Sequence, residues 1–453
     1  MSARPRLEAA LDAAVPFVIA ACVLAAAAAS SIRADVDSVG RPARWLLIGL
    51  LLAFAVVRAA RCGRDWRFPR ATAAALAVFC GLGLVSIAWS VHPRGTLERA
   101  VGEVVVLAAL GLLAGCIASL PSLGERMLDG VLAAATVVAF AGFLYWLVEP
   151  SSASIAATTE YPSRYQGIEQ NPNTAALLLA IGMPLALRRA LAARTSAARV
   201  AFVLLAAVFA ASISAAGSRG ALAAGFLALL VVVGLAPLPV RVRAGLAGLV
   251  VAGLVLSAWA MTIPNALPTP TATAPTVVGE VASRRHAVDA ERYLPLGQEI
   301  GNPWWTHRAG TSKRSLFNTS VRLRALRGSV RLALGRPILG YGFGAEQWAF
   351  FNRYFAFNSG NPENGYVGIF LQIGMIGLAL FITVLALCFV PGVRACLRAV
   401  RSGVPLAAVG AAAAGLLLGV SQSFFHGPGG IAYVAFWTSL LVAAVSGMRV
   451  QRT

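Results

Sequence analysis

Lysine is almost absent from this chain. Lys313 stands alone among 38 basic residues, only 18 residues are acidic, and the formal net charge is +20. Charged residues make up 12% of the 453, about half the share of a soluble domain, which excludes a water-facing surface over most of the length. Cysteine is scarce as well. Cys22, Cys62, Cys80, Cys116, Cys388 and Cys396 lie in apolar runs or short loops, so no disulfide staples the polar part of the chain and no metal-ligand spacing occurs. The four histidines, His92, His286, His307 and His426, stand singly. No metal and no cofactor is expected. A cleavable leader is not expected either, because the first apolar run, Ala13–Ser30, is span-length and carries no clear cleavage site.

What the chain has is apolar length. Hydrophobic residues reach 58% and the mean hydropathy is +0.75. Runs near the ~20 residues that cross a bilayer recur at 12–32, 44–60, 71–90, 100–120, 129–148, 172–192, 197–216, 218–237, 243–263, 363–390, 404–424 and 428–447. The expectation is an all-α polytopic membrane protein of about twelve transmembrane helices, divided at 1–263, 264–362 and 363–453. The short loops place Arg58, Arg61, Arg64, Arg67 and Arg70, then Arg188, Arg189, Arg194 and Arg199, then Arg241 and Arg243, then Arg394, Arg398 and Arg401 on one side with both termini. By the positive-inside rule that side is the cytoplasm. Loop arginines of this kind, with no basic stripe interleaved with aromatics, exclude nucleic acid as a partner. Trp45, Trp89, Trp146 and Trp259 sit near span ends as interfacial anchors. No internal repeat and no inverted pair of broken helices, as transporters use, is visible.

One long polar stretch, Ile263–Asn361, interrupts this pattern. Long loops translocate whatever their charge, so it falls on the outer face. Its arginines suit anions, because a guanidinium grips phosphate bidentately where an ammonium acts as a point charge. Arginine in place of lysine is also what a GC-rich genome gives. Pro264–Thr276 is too proline-rich for helix and reads as an extended leash. Thr319–Gly335 has helical periodicity, with Leu323, Leu326, Val330, Ala333 and Leu334 as an apolar stripe, Arg324, Arg327 and Arg331 on one flank and Arg322 on the other. It is expected to lie along the outer interface, stripe down. Pro337 ends it, and the glycines of Ile338–Ala345 turn the chain back toward the membrane.

Four short segments on the same face carry polar groups. Asn171-Pro172-Asn173 opens the sixth span, with Asn171 as helix cap. Ser218-Arg219-Gly220 opens the eighth. An arginine at the positive end of a helix is electrostatically misplaced unless an anion completes it; the alternative is a side chain snorkelling to lipid headgroups. Glu363-Asn364 opens the tenth span, where a glutamate in a first helical turn suits the dipole or serves as a general base. His426, in Ser423–Gly430, is either a further proton acceptor or, the reading preferred here, an interfacial loop residue.

With these residues the sequence resembles the O-antigen ligase and polysaccharide polymerase superfamily. Asn171–Pro184 (NPNTAALLLAIGMP) is similar to its Asn-x-Asn helix and Ser212–Leu222 (SISAAGSRGAL) to its Ser-Arg-Gly motif. Ser320–Gly344 resembles the segment running from Ser-Gly-Arg to Pro-Leu-Leu-Gly-x-Gly, and Glu363–Leu378 (ENGYVGIFLQIGMIGL) the His-Asn-x-Tyr-Leu run that ends Gly-x-x-Gly-Leu. The match covers roughly 170–380. Glu363 replaces the histidine usual in ligases, Val321 the motif glycine, and Leu326 stands where tryptophan is common.

The resemblance implies a GT-C-like membrane glycosyltransferase that uses neither metal nor nucleotide sugar. Its donor would be an undecaprenyl-diphosphate-linked glycan and its acceptor lipid A-core or another lipid-linked glycan, with membrane lipids as surroundings. It implies Glu363, Arg219 and Arg322 as catalytic residues, with Asn171, Asn173, Ser218, Arg324, Arg327, Asn364, Tyr366 and His426 around the substrate. A solute transporter, which needs charges near the midplane, and a non-enzymatic scaffold are the competing classes.

Overall fold

The computed structural model describes residues 3–155, 164–262, 320–350, 362–398, 403–427 and 429–449. In chain order the helices are α1 (Ala3–Ala28), α2 (Ala34–Cys62), α3 (Arg70–Val85), α4 (Pro93–Gly115), α5 (Pro121–Val148), α6 (Pro172–Ala192), α7 (Ser196–Ala215), α8 (Arg219–Leu235), α9 (Val240–Thr262), α10 (Ser320–Leu334), α11 (Glu346–Phe350), α12 (Gly365–Arg398), α13 (Gly403–Leu418) and α14 (Ile431–Arg449). Two short strands, β1 (Ser154–Ile155) and β2 (Arg164–Tyr165), pair antiparallel between α5 and α6. Nine helices among the described residues, α1–α7, α9 and α12, are long and apolar enough to cross a membrane. The protein is an all-α polytopic membrane protein.

Three shorter apolar helices, α8, α13 and α14, complete the bundle. They are among its most enclosed. Ile431 to Val445 of α14 are buried almost without exception, and α14 packs against α1, α4, α5, α6, α12 and α13. A helix surrounded by protein exchanges its apolar contacts with other helices rather than with lipid, and small residues let them approach closely. The alanines 407, 408, 411, 412 and 414 of α13 are such residues, and Gly410 of the same helix meets Pro184 and Val232. By contrast α9 is exposed along most of its length, as a lipid-facing outer helix should be.

The arginine-rich end is tied by ion pairs. Arg58, itself buried, donates to Asp12 at 2.6 Å, and Arg189 pairs with Asp129. All six cysteines are free thiols.

The opposite end is organised by a break in α12. Ile373 (φ −128°, ψ 19°) and Gly374 (φ 67°) leave helical geometry. The break strands backbone groups that no water reaches, and such groups need protein partners. Residues 337–342 supply them: Tyr341 N–H donates to Leu371 O at 3.0 Å, Gly342 N–H to Gln372 O at 2.8 Å, and Met375 N–H to Pro337 O at 2.8 Å. The glycines expected only to turn the chain therefore dock it into the bundle. Gly340, Gly342 and Gly344 all have positive φ. A Cβ on Gly374 would collide with Ile338 O, and one on Gly340 would lie 2.5 Å from the carbonyl of Gln372.

Among the α10 residues whose burial is described, Gly328, Ser329, Leu332 and Ala333 are buried, while Leu334, assigned to the apolar stripe, is 61% exposed. Leu332 and Ala333 pack with Ala349, Phe370 and Leu371. Leu334 departs from the expected stripe because the covered side of α10 packs on α12. The leash Pro264–Thr276 and the basic stretch 283–314 lie outside the described residues, as do His286, His307 and Lys313.

Gly374→Ala introduces a side chain at a left-handed position and against a docked carbonyl. It should cost about 2–4 kcal/mol, read as a lowered midpoint of thermal unfolding in detergent. Gly49→Ala in α2 meets nothing within 4 Å and should leave stability unchanged or raise it by up to about 1 kcal/mol. Equal effects of the two would refute the docking account.

Candidate active site at the helix N-termini

The N-termini of α6, α8 and α12 lie at the end of the bundle opposite the arginine-rich loops. At α6, Asn171 is the cap, its Oδ1 accepting from Asn173 N–H at 2.9 Å, with Pro172 in the first turn. The Asn173 side chain acts differently. Its Oδ1 accepts from Arg164 Nη2 at 2.9 Å, while Arg164 Nε donates to Ala216 O at 2.8 Å. Arg164 thus joins the start of α6 to the turn that precedes α8. Sequence reasoning missed it, because nothing in the spacing links strand β2 to either helix.

Arg219 is the first residue of α8, as expected, and Ser218 occupies the cap position, buried and without a side-chain cap bond. Gly217, in a left-handed turn (φ 64°), lets the chain reverse from α7 into α8. Gly220 approaches Ser421 so closely that a Cβ there would collide with the hydroxyl. The same loop holds α12: Gly365 N–H donates to Gly419 O at 2.7 Å and Asn364 Nδ2 to Val420 O at 2.8 Å. Arg219 and Glu363 are therefore carried on two helix starts that abut one three-residue segment, 419–421.

The cap of α12 is Asn364, whose Oδ1 accepts from Val367 N–H at 2.9 Å. Glu363 is consequently not in the first helical turn. It precedes the cap, with φ 56°, the only described non-glycine residue at positive φ. That conformation costs a side-chain-bearing residue about 1–2 kcal/mol, so helix capping does not explain a glutamate here. Tyr366 turns inward, donating from its hydroxyl to Leu416 O at 2.9 Å and packing edge-on against Phe425; it is a packing residue. Arg322 and Arg324 fall in the first turns of α10, and their side chains lie outside the described residues. Arg327 is exposed on the same helix.

The His426 side chain, 5% exposed, turns into the protein from the loop between α13 and α14, its Nε2 2.9 Å from Glu346 Oε1 and its Nδ1 3.0 Å from Gln372 Nε2. Glu346, fully buried, also accepts from Gln372 Nε2 at 3.0 Å and from Ser423 Oγ at 3.1 Å. Burial by itself would raise this carboxyl, but His426, Gln372 and the nearby Arg99 outweigh it and hold Glu346 below the ordinary carboxylate value. Arg99 donates to Gly344 O and lies over the Trp348 ring, which in turn stacks on His92 at 4.0 Å.

Glu103 is buried roughly 15 Å along α4 from its start and accepts from Gly427 N–H at 2.9 Å. Glu346, Gln372, Arg99 and Glu103 gave no sequence signal, since the glycine-rich turn that delivers Glu346 looked like a connection.

A second buried carboxyl behaves oppositely. Glu169, just before α6, is buried and within 2.5 Å of Ser30 Oγ, on a loop whose backbone pairs with residues 30–32. Burial pushes it up to about 8, against which the Ser30 contact is too little. Ser30 Oγ also lies 3.1 Å from Ala27 O. Its one proton serves either neighbour, so a protonated Glu169 that donates to it satisfies both.

Among the described residues no group of histidine, cysteine or acidic side chains could hold a metal ion. The family model described as O-Antigen ligase matches residues 201–382, from α7 into α12. No curated protein matches the chain.

Because the folded-state value of Glu169 lies above its ordinary 4.5, its contribution is complete below about pH 4.5 and is lost as pH rises toward 8, over a range worth up to about 5 kcal/mol. The melting midpoint in detergent should fall between pH 5 and 9. Glu169→Gln should flatten that fall, and an unchanged slope would refute the assignment.

Proposed function

With residues 201–382 belonging to the O-antigen ligase family, we propose that this membrane enzyme transfers a glycan from a polyprenyl diphosphate to an acceptor hydroxyl at the bundle end formed by the starts of α6, α8 and α12. In this reading the end is periplasmic, both termini are cytoplasmic, and the membrane is the bacterial inner membrane, since the arginine-rich loops gather at the other end. The donor is an undecaprenyl-diphosphate-linked glycan and the acceptor lipid A-core.

The observation that carries the reading is Glu363, held at φ 56° beside the segment that also receives the N-terminus of α8. A strained, side-chain-bearing residue persists where its neighbours over-determine it, and such positions cluster at reacting sites. The acceptor oxygen attacks the anomeric carbon, and the bond from that carbon to the phosphate oxygen breaks. Undecaprenyl diphosphate departs with the electron pair, and Glu363 takes the hydroxyl proton. One displacement inverts the anomeric centre. The developing charge on the diphosphate meets the Arg219 guanidinium and the amide groups at the start of α8. Preorganised donors of this kind lower a barrier by about 3–4 kcal/mol each. Arg322, on α10, is the second guanidinium assigned to the diphosphate, with Arg324 and Arg327 further along that helix. Asn171, Asn173 and Ser218 shape the rim, which the Arg164 bridge between α6 and the turn before α8 holds together.

A polymerase reading uses the same donor with a second lipid-linked glycan as acceptor. Glu363 in the place where ligases usually carry histidine supports keeping it. Loss of the gene separates the two: core without repeats, together with accumulated long lipid-linked glycan, marks a ligase, whereas core bearing one repeat marks a polymerase.

In proteoliposomes supplied with a polyprenyl-diphosphate glycan, Arg219→Ala should lower transfer by about 100- to 1000-fold with insertion intact. Glu363→Gly should lower it by about 100-fold or more while raising stability by about 1 kcal/mol, because the left-handed strain is relieved. Full transfer by Arg219→Ala would end the diphosphate assignment. A destabilised Glu363→Gly would show that the residue is there for structure.

A further inference from the structure

The loop between α13 and α14 is anchored at both ends, to different elements. Its first residues, Gly419 and Val420, accept hydrogen bonds from Gly365 and Asn364, and Ser421 lies against Gly220. Its last residues belong to a buried polar cluster: Ser423 and His426 on Glu346, and Gly427 on Glu103. The anchors are separated by only a few residues of chain.

The hydrogen bonds at the second anchor engage both ends of the Gln372 amide and both nitrogens of His426. Gly344 N–H donates to Gln372 Oε1 at 2.8 Å, which settles which end of that amide is nitrogen. Gln372 Nε2 then directs one proton to Glu346 Oε2 and the other to His426 Nδ1. Nδ1 lies against that amide nitrogen and Nε2 against Glu346 Oε1. The Glu346 carboxylate receives three donors, from His426, Gln372 and Ser423. Both nitrogens of His426 are consumed inside the cluster, and neither can take a proton from an acceptor hydroxyl. The charged groups facing it are Glu346 from α11 and, across Gly427, Arg99 and Glu103 from α4. Gly368 on α12 leaves the space that the carboxylate fills: a Cβ there would lie 2.6 Å from Glu346 Oε2 and 2.7 Å from Ser423 Oγ.

We infer that Glu346, acting through His426 and Ser423, is a positioning residue that fixes the 419–427 loop as the common seat of Glu363 and Arg219. The inference rests on the glycosyl-transfer reading of those two residues. A seat is needed because misplacement of reacting groups by about 1 Å can cost about 100-fold in rate, and both groups stand at chain reversals where a helix begins. A carboxylate suits this role, since it accepts from all three donors and presents no proton to repel any of them. Its amide analogue turns an N–H toward a donor.

The test uses the full chain in lipid nanodiscs, as wild type and as Glu346→Gln, Ser423→Ala and His426→Gln. Backbone hydrogen exchange is read in 362–368 and 419–427, and transfer from a polyprenyl-diphosphate glycan is read as kcat, KM and a pH profile. Glu346→Gln should raise exchange in both segments and lower kcat about 10- to 100-fold, with donor KM and the acid limb of the pH profile unmoved. Ser423→Ala, which removes one donor and no charge, should shift the same readouts less, and stands in if Glu346→Gln does not fold. Exchange that rises in 421–427 alone, with kcat unchanged, would overturn the inference. So would loss of the acid limb in His426→Gln, which would make His426 the proton acceptor. A wild type that transfers no glycan would sink the functional reading by itself, and the exchange measurements would still decide whether Glu346 seats the two helix starts.

Discussion

A helix broken inside a membrane bundle has to give its stranded backbone groups partners, and the break in α12 at Ile373–Gly374 governs the organisation around it. Leu371 and Gln372 carbonyls and the Met375 N–H are met by residues 337–342. In hydrocarbon each unmet group costs several kcal/mol, so this segment is bound as firmly as a strand in a sheet. Its docking draws Phe343 into the core against Phe79, carries Glu346 into the protein and points Gln372 at it. Without the break the chain following α10 would have no seat, and the polar cluster would have no acid.

Two buried carboxyls show how neighbours decide charge. Glu346 meets three hydrogen-bond donors with a guanidinium nearby and stays below its ordinary range, whereas Glu169 meets one serine hydroxyl and is pushed up to about 8. Burial disfavours the ion in both. What differs is the number of donors aimed at the oxygens. The first group is therefore a charged clamp and the second a neutral link between the loop ahead of α6 and the chain after α1.

The proposed function draws on where helices begin. Three N-termini at one end of the bundle offer amide groups and positive partial charge, and in the proposed reaction a diphosphate leaving group is the charge they would meet. The shared contact with residues 419–421 brings Arg219 and Glu363 onto one rim although the chain separates them by the whole of α9, α10 and α11. Glu103 accepts from Gly427 N–H, and Arg99 is held by Gly344 O and Trp348.

Residue order alone was enough for the helical class, the apolar runs, the side on which arginines gather, and the helix starts at Asn171, Arg219 and Asn364. All of these follow from composition over short windows, from proline and asparagine at first turns, and from the insertion cost of charge. It was not enough to place Glu363 outside the first turn, because a left-handed residue is recognisable only from its backbone. Nor could it reveal that Leu334 faces outward, that the His426 side chain turns into the protein, or that Arg164 bridges two helices. The cluster of Glu346, Gln372 and His426, with Arg99 beside it, exists only in the folded chain. Its members come from four segments far apart in the sequence, and only the docking of a glycine turn into a broken helix brings Glu346 within hydrogen-bonding distance of Gln372 and His426.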